Sequence, residues 1–167
     1  MERQPIRGTA DNRKVTEQRR TVDAPPPRAR VLAECARRGH TAVVDGCVAL
    51  LEGAGDGDVQ LIVVLGGPAA SWALDPSEGG PGSSRWYWVR VWAARGLLWA
   101  WDPRATTAIV AALHDPAWRV RELAAKVVAR HLVGDALAAV TVLRTDPVPR
   151  VRAAAHRAVV GLTAAGA

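Results

Sequence analysis

The chain has 167 residues, 49 % of them hydrophobic, a size that suits one domain with a substantial core. The net charge is +6, and the two cysteines, Cys35 and Cys47, stand outside any metal or redox spacing, so no disulfide framework or thiolate metal site is implied. The longest apolar run, Val59 to Leu74, is broken by Gly66-Gly67-Pro68 and is too short to span a bilayer; with charge from Glu2 onward, the expectation is a cytoplasmic protein without membrane contact.

Residues 1–28 are polar, carry no apolar periodicity and end near Pro25-Pro26-Pro27. They read as a flexible basic arm, because they bury too little to offset the entropy of ordering. From Ala29 the pattern turns helical, through Val31, Leu32 and Cys35 and then Val43, Val44, Cys47 and Leu50, with Gly39 and the run Gly53 to Gly57 as punctuation. Asp58 is placed to cap a third helix from Val59, interrupted at Gly66-Gly67-Pro68. Residues 75–84 are a loop by composition. A long helix is expected from Arg85 to about Trp101. Asp102-Pro103, Asp115-Pro116 and Asp146-Pro147 each open a further helix, and Gly134-Asp135 resets the chain between the last two. Charge is uneven along this order: net +4 over 1–30, −5 over 31–84 and +7 over 85–167.

A valine–arginine pair returns every 31 residues, as Val89-Arg90, Val120-Arg121 and Val151-Arg152, with a weaker echo at Val59-Gln60. Around the last two copies Asp115 matches Asp146, Arg119 matches Arg150, Ala124 matches Ala155 and Val128 matches Val159. A repeat of this length is one supersecondary unit that cannot bury its apolar face alone, so copies must stack. The fold class is therefore all-α, a short α-solenoid of antiparallel helix pairs over 29–167, irregular over 29–84 and regular over 85–165. Val120 and Val151 must then be buried at equivalent places.

The stretch from Leu113 to Ala125, with Asp115 in the inter-helix turn and Val120-Arg121 in the next helix, resembles a HEAT repeat, and Asp146, Val151, Arg152 and Ala155 repeat it. The period is close to the short bacterial HEAT-like units of the PBS-lyase type. The resemblance implies an interaction platform before it implies chemistry. It also implies that Arg90, Arg121 and Arg152 bond turn aspartates such as Asp115 and Asp146 in an inter-repeat ladder, which removes these arginines from the binding candidates.

The binding candidates lie on another face of the same helices. At about 100° per residue, Trp88, Trp92, Arg95 and Trp99 share one stripe, and advancing by one repeat adds Arg119, Lys126 and Arg130, then Arg150 and Arg157. Successive second helices line up across one surface of a solenoid, so a tryptophan patch should adjoin a basic column. Indoles beside cations suit a protein hot spot or a flat anionic ligand. The bland alternatives are tryptophans packed against 59–84 and cations that only solvate a helix face.

Catalytic signals are weak. His40, His114, His131 and His156 are scattered, Glu122 is an ordinary intrahelical partner for Lys126, and the run from Gly53 to Gly57 lacks the Lys-Ser/Thr of a phosphate loop. The expectation is a non-enzymatic scaffold, without metal or cofactor, that engages a protein or other anionic partner. The alternative is nucleic-acid binding, distantly like the HEAT-like DNA glycosylases, which hold DNA on a basic concave face with tryptophans near a catalytic acid. No Asp or Glu is expected on the stripe here.

Overall fold

The computed structural model describes residues 24–53, 58–74 and 85–166. The described residues are all-α, with no strand: α1 (Pro27–Arg38), α2 (His40–Leu51), α3 (Val59–Gly66), α4 (Tyr87–Gly96), α5 (Thr106–Ala112), α6 (Trp118–His131), α7 (Leu137–Val142) and α8 (Pro149–Ala165). Short 3-10 turns lead into or out of several of them, over Gly67–Leu74, Pro103–Ala105, Gly134–Ala136 and Leu143–Thr145. None of these helices is long and apolar enough to cross a membrane.

Local chemistry accounts for most of the boundaries. Pro27 takes the first position of α1, where a missing N–H costs nothing, so Pro27 and Arg28 belong to the helix rather than to the arm. Most of the expected arm, residues 1–23, lies outside the described residues. The Asp58 carboxylate caps α3 by accepting the Leu61 N–H at 2.9 Å. Asp115 and Asp146 act differently from simple helix openers. Each folds its own turn by accepting the N–H two residues on (Ala117 at 2.7 Å, Val148 at 2.8 Å), and α6 and α8 begin only after that turn.

The helix expected to run to Trp101 stops at Gly96. A Cβ at Gly96 would lie 2.8 Å from Leu65 Cδ2 and 2.9 Å from Cys47 Sγ, so glycine is what lets α4 touch α3 and α2 at once. Beyond it the bonds tighten to Leu98 N–H on Arg95 O and Trp99 N–H on Gly96 O, which turns Leu97 into the core and takes Trp99 off the helix.

The helices pack in two rows. In one, α3, α4, α6 and α8 are successive neighbours; the other runs α1, α2, α5 and then the turn before α7. Pairs across the rows are α1 with α3, α2 with α4, α5 with α6, and α7 with α8. The two C-terminal pairs are consecutive in the chain, whereas α2 pairs with α4 across the intervening α3. The 3-10 turn Gly67–Leu74 follows α3 directly and packs against it, and α2 is the helix that lies beside α4.

The 31-residue period is visible in the core. Val89, Val120 and Val151 are fully or almost fully buried, as are Ala93, Ala124 and Ala155 one turn on. Small side chains at the second position let α4, α6 and α8 approach closely, and the valines fill what remains. The same period builds a ladder at the helix starts. Arg90 donates to Asp115 through Nε (2.7 Å) and Nη2 (3.2 Å), and Arg121 donates to Asp146 with the same two distances. Arg121 Nη1 also donates to the carbonyls of Asp115 and Pro116, and Arg152 Nη1 to those of Asp146 and Pro147. The Arg121 guanidinium thus ties its own turn to the next.

Candidate tryptophan and arginine binding face

The start of α4 carries Trp86, Tyr87 and Trp88, and Trp92 follows one turn later. Only part of this cluster faces outward. Trp92 is 4 % exposed and packs on Trp72 of the preceding 3-10 turn, with ring centroids 5.8 Å apart. Gly66 makes room for it, because a Cβ there would come within 2.8 Å of the Trp92 ring. Trp92 is therefore a core residue held against the 59–74 segment. Trp88 stays half-buried, with Tyr87 stacked on it at 5.2 Å and Trp92 at 6.3 Å.

Arg119, at the start of α6, sets its guanidinium over both the Trp88 ring (5.1 Å) and the Trp118 ring (4.3 Å). Arg150, at the start of α8, lies over Trp118 at 5.7 Å. The first turns of three successive helices thus form one chain of contacts, Trp88–Arg119–Trp118–Arg150. Planar guanidinium on indole is an attractive pairing, and it holds a flexible cation in one place. Among the described residues no carboxylate pairs with Arg119.

The rest of the expected column divides. Arg95 turns away from it and donates through Nη2 to Leu65 O at 2.7 Å, where Arg30 also donates, so both cations neutralise the C-terminal carbonyls of α3. Burial lowers the Arg95 pKa, with the nearby Arg30 charge adding to it. Trp99 is half-buried in the turn after α4, apart from Trp88 and Trp92. Arg130 and Arg157 are exposed and have no partner among the described residues.

Glu122 makes the intrahelical pair with Lys126 that its spacing implied, and it takes a second column cation besides. Glu122 is only 7 % exposed, and its Oε1 accepts from Lys126 Nζ at 2.8 Å and from Arg150 Nε at 3.2 Å. Helical spacing places Glu122 off the stripe, but long cationic side chains reach sideways to it from α6 and α8. Burial opposes its ionisation; the bonds and charges of Lys126 and Arg150 outweigh this and hold the carboxyl below its ordinary range. Glu122 thereby absorbs much of the charge of two of the five remaining column cations.

Beside this chain of contacts is a cavity of about 270 Å³ lined by Ala69, Trp72, Arg85, Trp88 and Trp92. Trp72, Trp118, Arg85 and Ala69 were not among the sequence candidates. A signal for Trp118 existed: one repeat earlier stands Tyr87, so an aromatic opens two successive second helices. Among the described residues no group of three His, Cys, Asp or Glu is placed to hold a metal ion.

The chain matches no protein-family model, no curated protein and no solved structure.

Proposed function

We infer that this chain is a HEAT-type repeat protein serving as a non-enzymatic interaction module, and that it holds an acidic segment of a partner protein along the first turns of α4, α6 and α8. The observation that carries this reading is Arg119, fixed over two indoles and without a carboxylate of its own among the described residues. A cation already ordered by stacking loses little freedom when it takes up a carboxylate, and Trp with Arg is the pairing enriched at protein hot spots. Arg130 and Arg157 extend the positive field without being tied to an acid.

Single-strand stacking fits less well. Trp92 is buried, Trp99 is on a different segment, and the Trp88 ring is already in contact with Tyr87, Trp92 and Arg119. That leaves no row of free indoles for successive bases. Phosphate-backbone binding is the arm to test alongside.

The experiment is titration of the protein with a glutamate- and leucine-containing acidic peptide and, separately, with a single-stranded oligonucleotide. The peptide should bind at low salt, and Arg119→Glu should weaken it by about tenfold or more, as should Arg157→Glu to a smaller degree. Binding of the oligonucleotide in place of the peptide, or peptide binding indifferent to Arg119→Glu, would overturn the reading.

A further inference from the structure

The C-terminal end of α3 gathers two cations and no acid. Arg30 of α1 donates there through Nε to Val64 O at 2.7 Å and through Nη2 to Leu65 O at 3.2 Å, while its Nη1 donates to Pro25 O. Gly67 makes room for this side chain, since a Cβ there would lie 2.7 Å from Arg30 Cζ. Arg95 of α4 donates through Nη2 to the same Leu65 oxygen, at 2.7 Å. One oxygen shared by two guanidiniums brings the cationic heads within about 6 Å of each other, where like charges repel. Among the described residues no carboxylate pairs with either arginine.

Capping α3 does not call for both. A helix end carries about half an elementary negative charge, which Arg30 alone more than offsets. Arg95 adds a second full charge in a part-buried place, and burial, followed by the Arg30 charge, lowers its pKa. A guanidinium has five N–H donors. Arg95 spends one on Leu65 O, which leaves four without a protein acceptor among the described residues. Arg30 spends three and leaves two. These donors and charges suit a group with several oxygens and more than one negative charge. A carboxylate brings two oxygens and one charge. A terminal phosphate brings three oxygens and about −1.5 to −2 at neutral pH, close to two cations less the helix end. The internal phosphodiester of a nucleic acid lacks the second charge.

We propose that Arg30 and Arg95, at the C-terminal end of α3, form a binding site for the terminal phosphate of a small phosphate monoester. The site does not rest on the protein-binding reading: Arg95 is in the last turn of α4, whereas Arg119 and Arg150 lie at the starts of α6 and α8. Arg30 is already held by three bonds and Arg95 by one, so little freedom remains to be lost when the phosphate binds.

The test is differential scanning calorimetry of the full chain at fixed ionic strength, with chloride replaced by phenyl phosphate or by acetate. Phenyl phosphate should bind with a Kd of about 1 mM or tighter, so at about 10 mM it should raise Tm by roughly 3–6 °C. Acetate, about tenfold weaker, should raise it by about 1 °C. Arg95→Gln keeps a donor for Leu65 O but removes the charge, and should abolish the phosphate effect. Arg144→Gln removes the same charge from an exposed position elsewhere and should preserve it. Arg95→Lys keeps the charge without the planar fork and should weaken binding about tenfold. Broadening of the phenyl phosphate line in phosphorus NMR, which needs no variant, should titrate with the same midpoint. No rise in Tm beyond that in chloride, a rise that survives Arg95→Gln, or acetate equal to phenyl phosphate would each overturn the proposal. A phosphoserine peptide that binds more tightly than phenyl phosphate would overturn its assignment to a small ester.

Discussion

Asp146 is the residue on which the ladder can be tested most directly. Its side chain is 4 % exposed, and that of its partner Arg121 is 14 % exposed. It receives two bonds from Arg121 and one from the Val148 N–H at 2.8 Å. Asp146→Asn keeps an acceptor for Val148 but removes the charge, leaving a largely buried guanidinium without its counter-ion. Breaking such a pair from one side costs about 3 kcal/mol. For a domain of this size each kcal/mol shifts Tm by roughly 2–4 °C, so a fall of about 6–12 °C is expected by differential scanning calorimetry. Asp146→Ala also orphans the Val148 N–H and should cost about 1 kcal/mol more. The pH dependence has a fixed sign. Burial opposes ionisation of Asp146, but the bonds from Arg121 and Val148 outweigh it and hold its folded pKa below the ordinary 3.8. Its contribution is therefore complete above that value and is lost as pH falls through the folded pKa; the Asn variant should lack this part of the acid limb. A loss under 1 kcal/mol for Asp146→Asn, with an unchanged acid limb, would refute the ladder as a source of stability.

Three further outcomes are expected. Gly66→Ala drives a methyl to within 2.8 Å of the Trp92 ring and should cost about 1–3 kcal/mol in denaturant melts, with a changed near-ultraviolet tryptophan signal. Burial pushes the Cys47 thiol up to about 12, so a thiol reagent at neutral pH should modify the half-buried Cys35 first and reach Cys47 only on unfolding. His131 stacks on Trp101 at 4.9 Å and bonds Leu97 O at 3.1 Å; burial lowers its pKa against the opposing carbonyl bond. The unfolded chain then binds this proton more readily, so stability should fall as pH drops from about 6.5 through the folded pKa, and His131→Gln should flatten that slope in pH-dependent melts.

How much of this was legible in the sequence depends on whether the determinant was local or periodic. The 31-residue spacing of Val89, Val120 and Val151 identified the buried face, because a stacked helix must present the same side to the core in every copy. Residues far apart in the chain were harder. Nothing near Glu122 indicates that Arg150, twenty-eight residues on, would reach it. The 100° rule placed Arg95 and Trp92 on one stripe with Trp88, but it carries no information on what covers a face. The turn at 67–74 brings Trp72 over Trp92 and offers the end of α3 to Arg95. The stop at Gly96 was hidden for the same reason: its cause is the approach of Leu65 and Cys47 from two other helices.

The ladder also has a direction. Arg90 and Arg121 each reach forward to an aspartate twenty-five residues on, and Arg121 and Arg152 reach back to the carbonyls of their own turn. Among the described residues Arg152 makes only the backward half, and its side chain is exposed at the edge of α8. The device therefore measures spacing. A unit added after α8 would be accepted by this guanidinium if it carried an aspartate twenty-five residues further on. A unit out of step by one residue would bury a cation and an acid that never meet. An array of such units proofreads its own register as it lengthens, and engineered extensions of this chain can be ranked on that criterion before any of them is made.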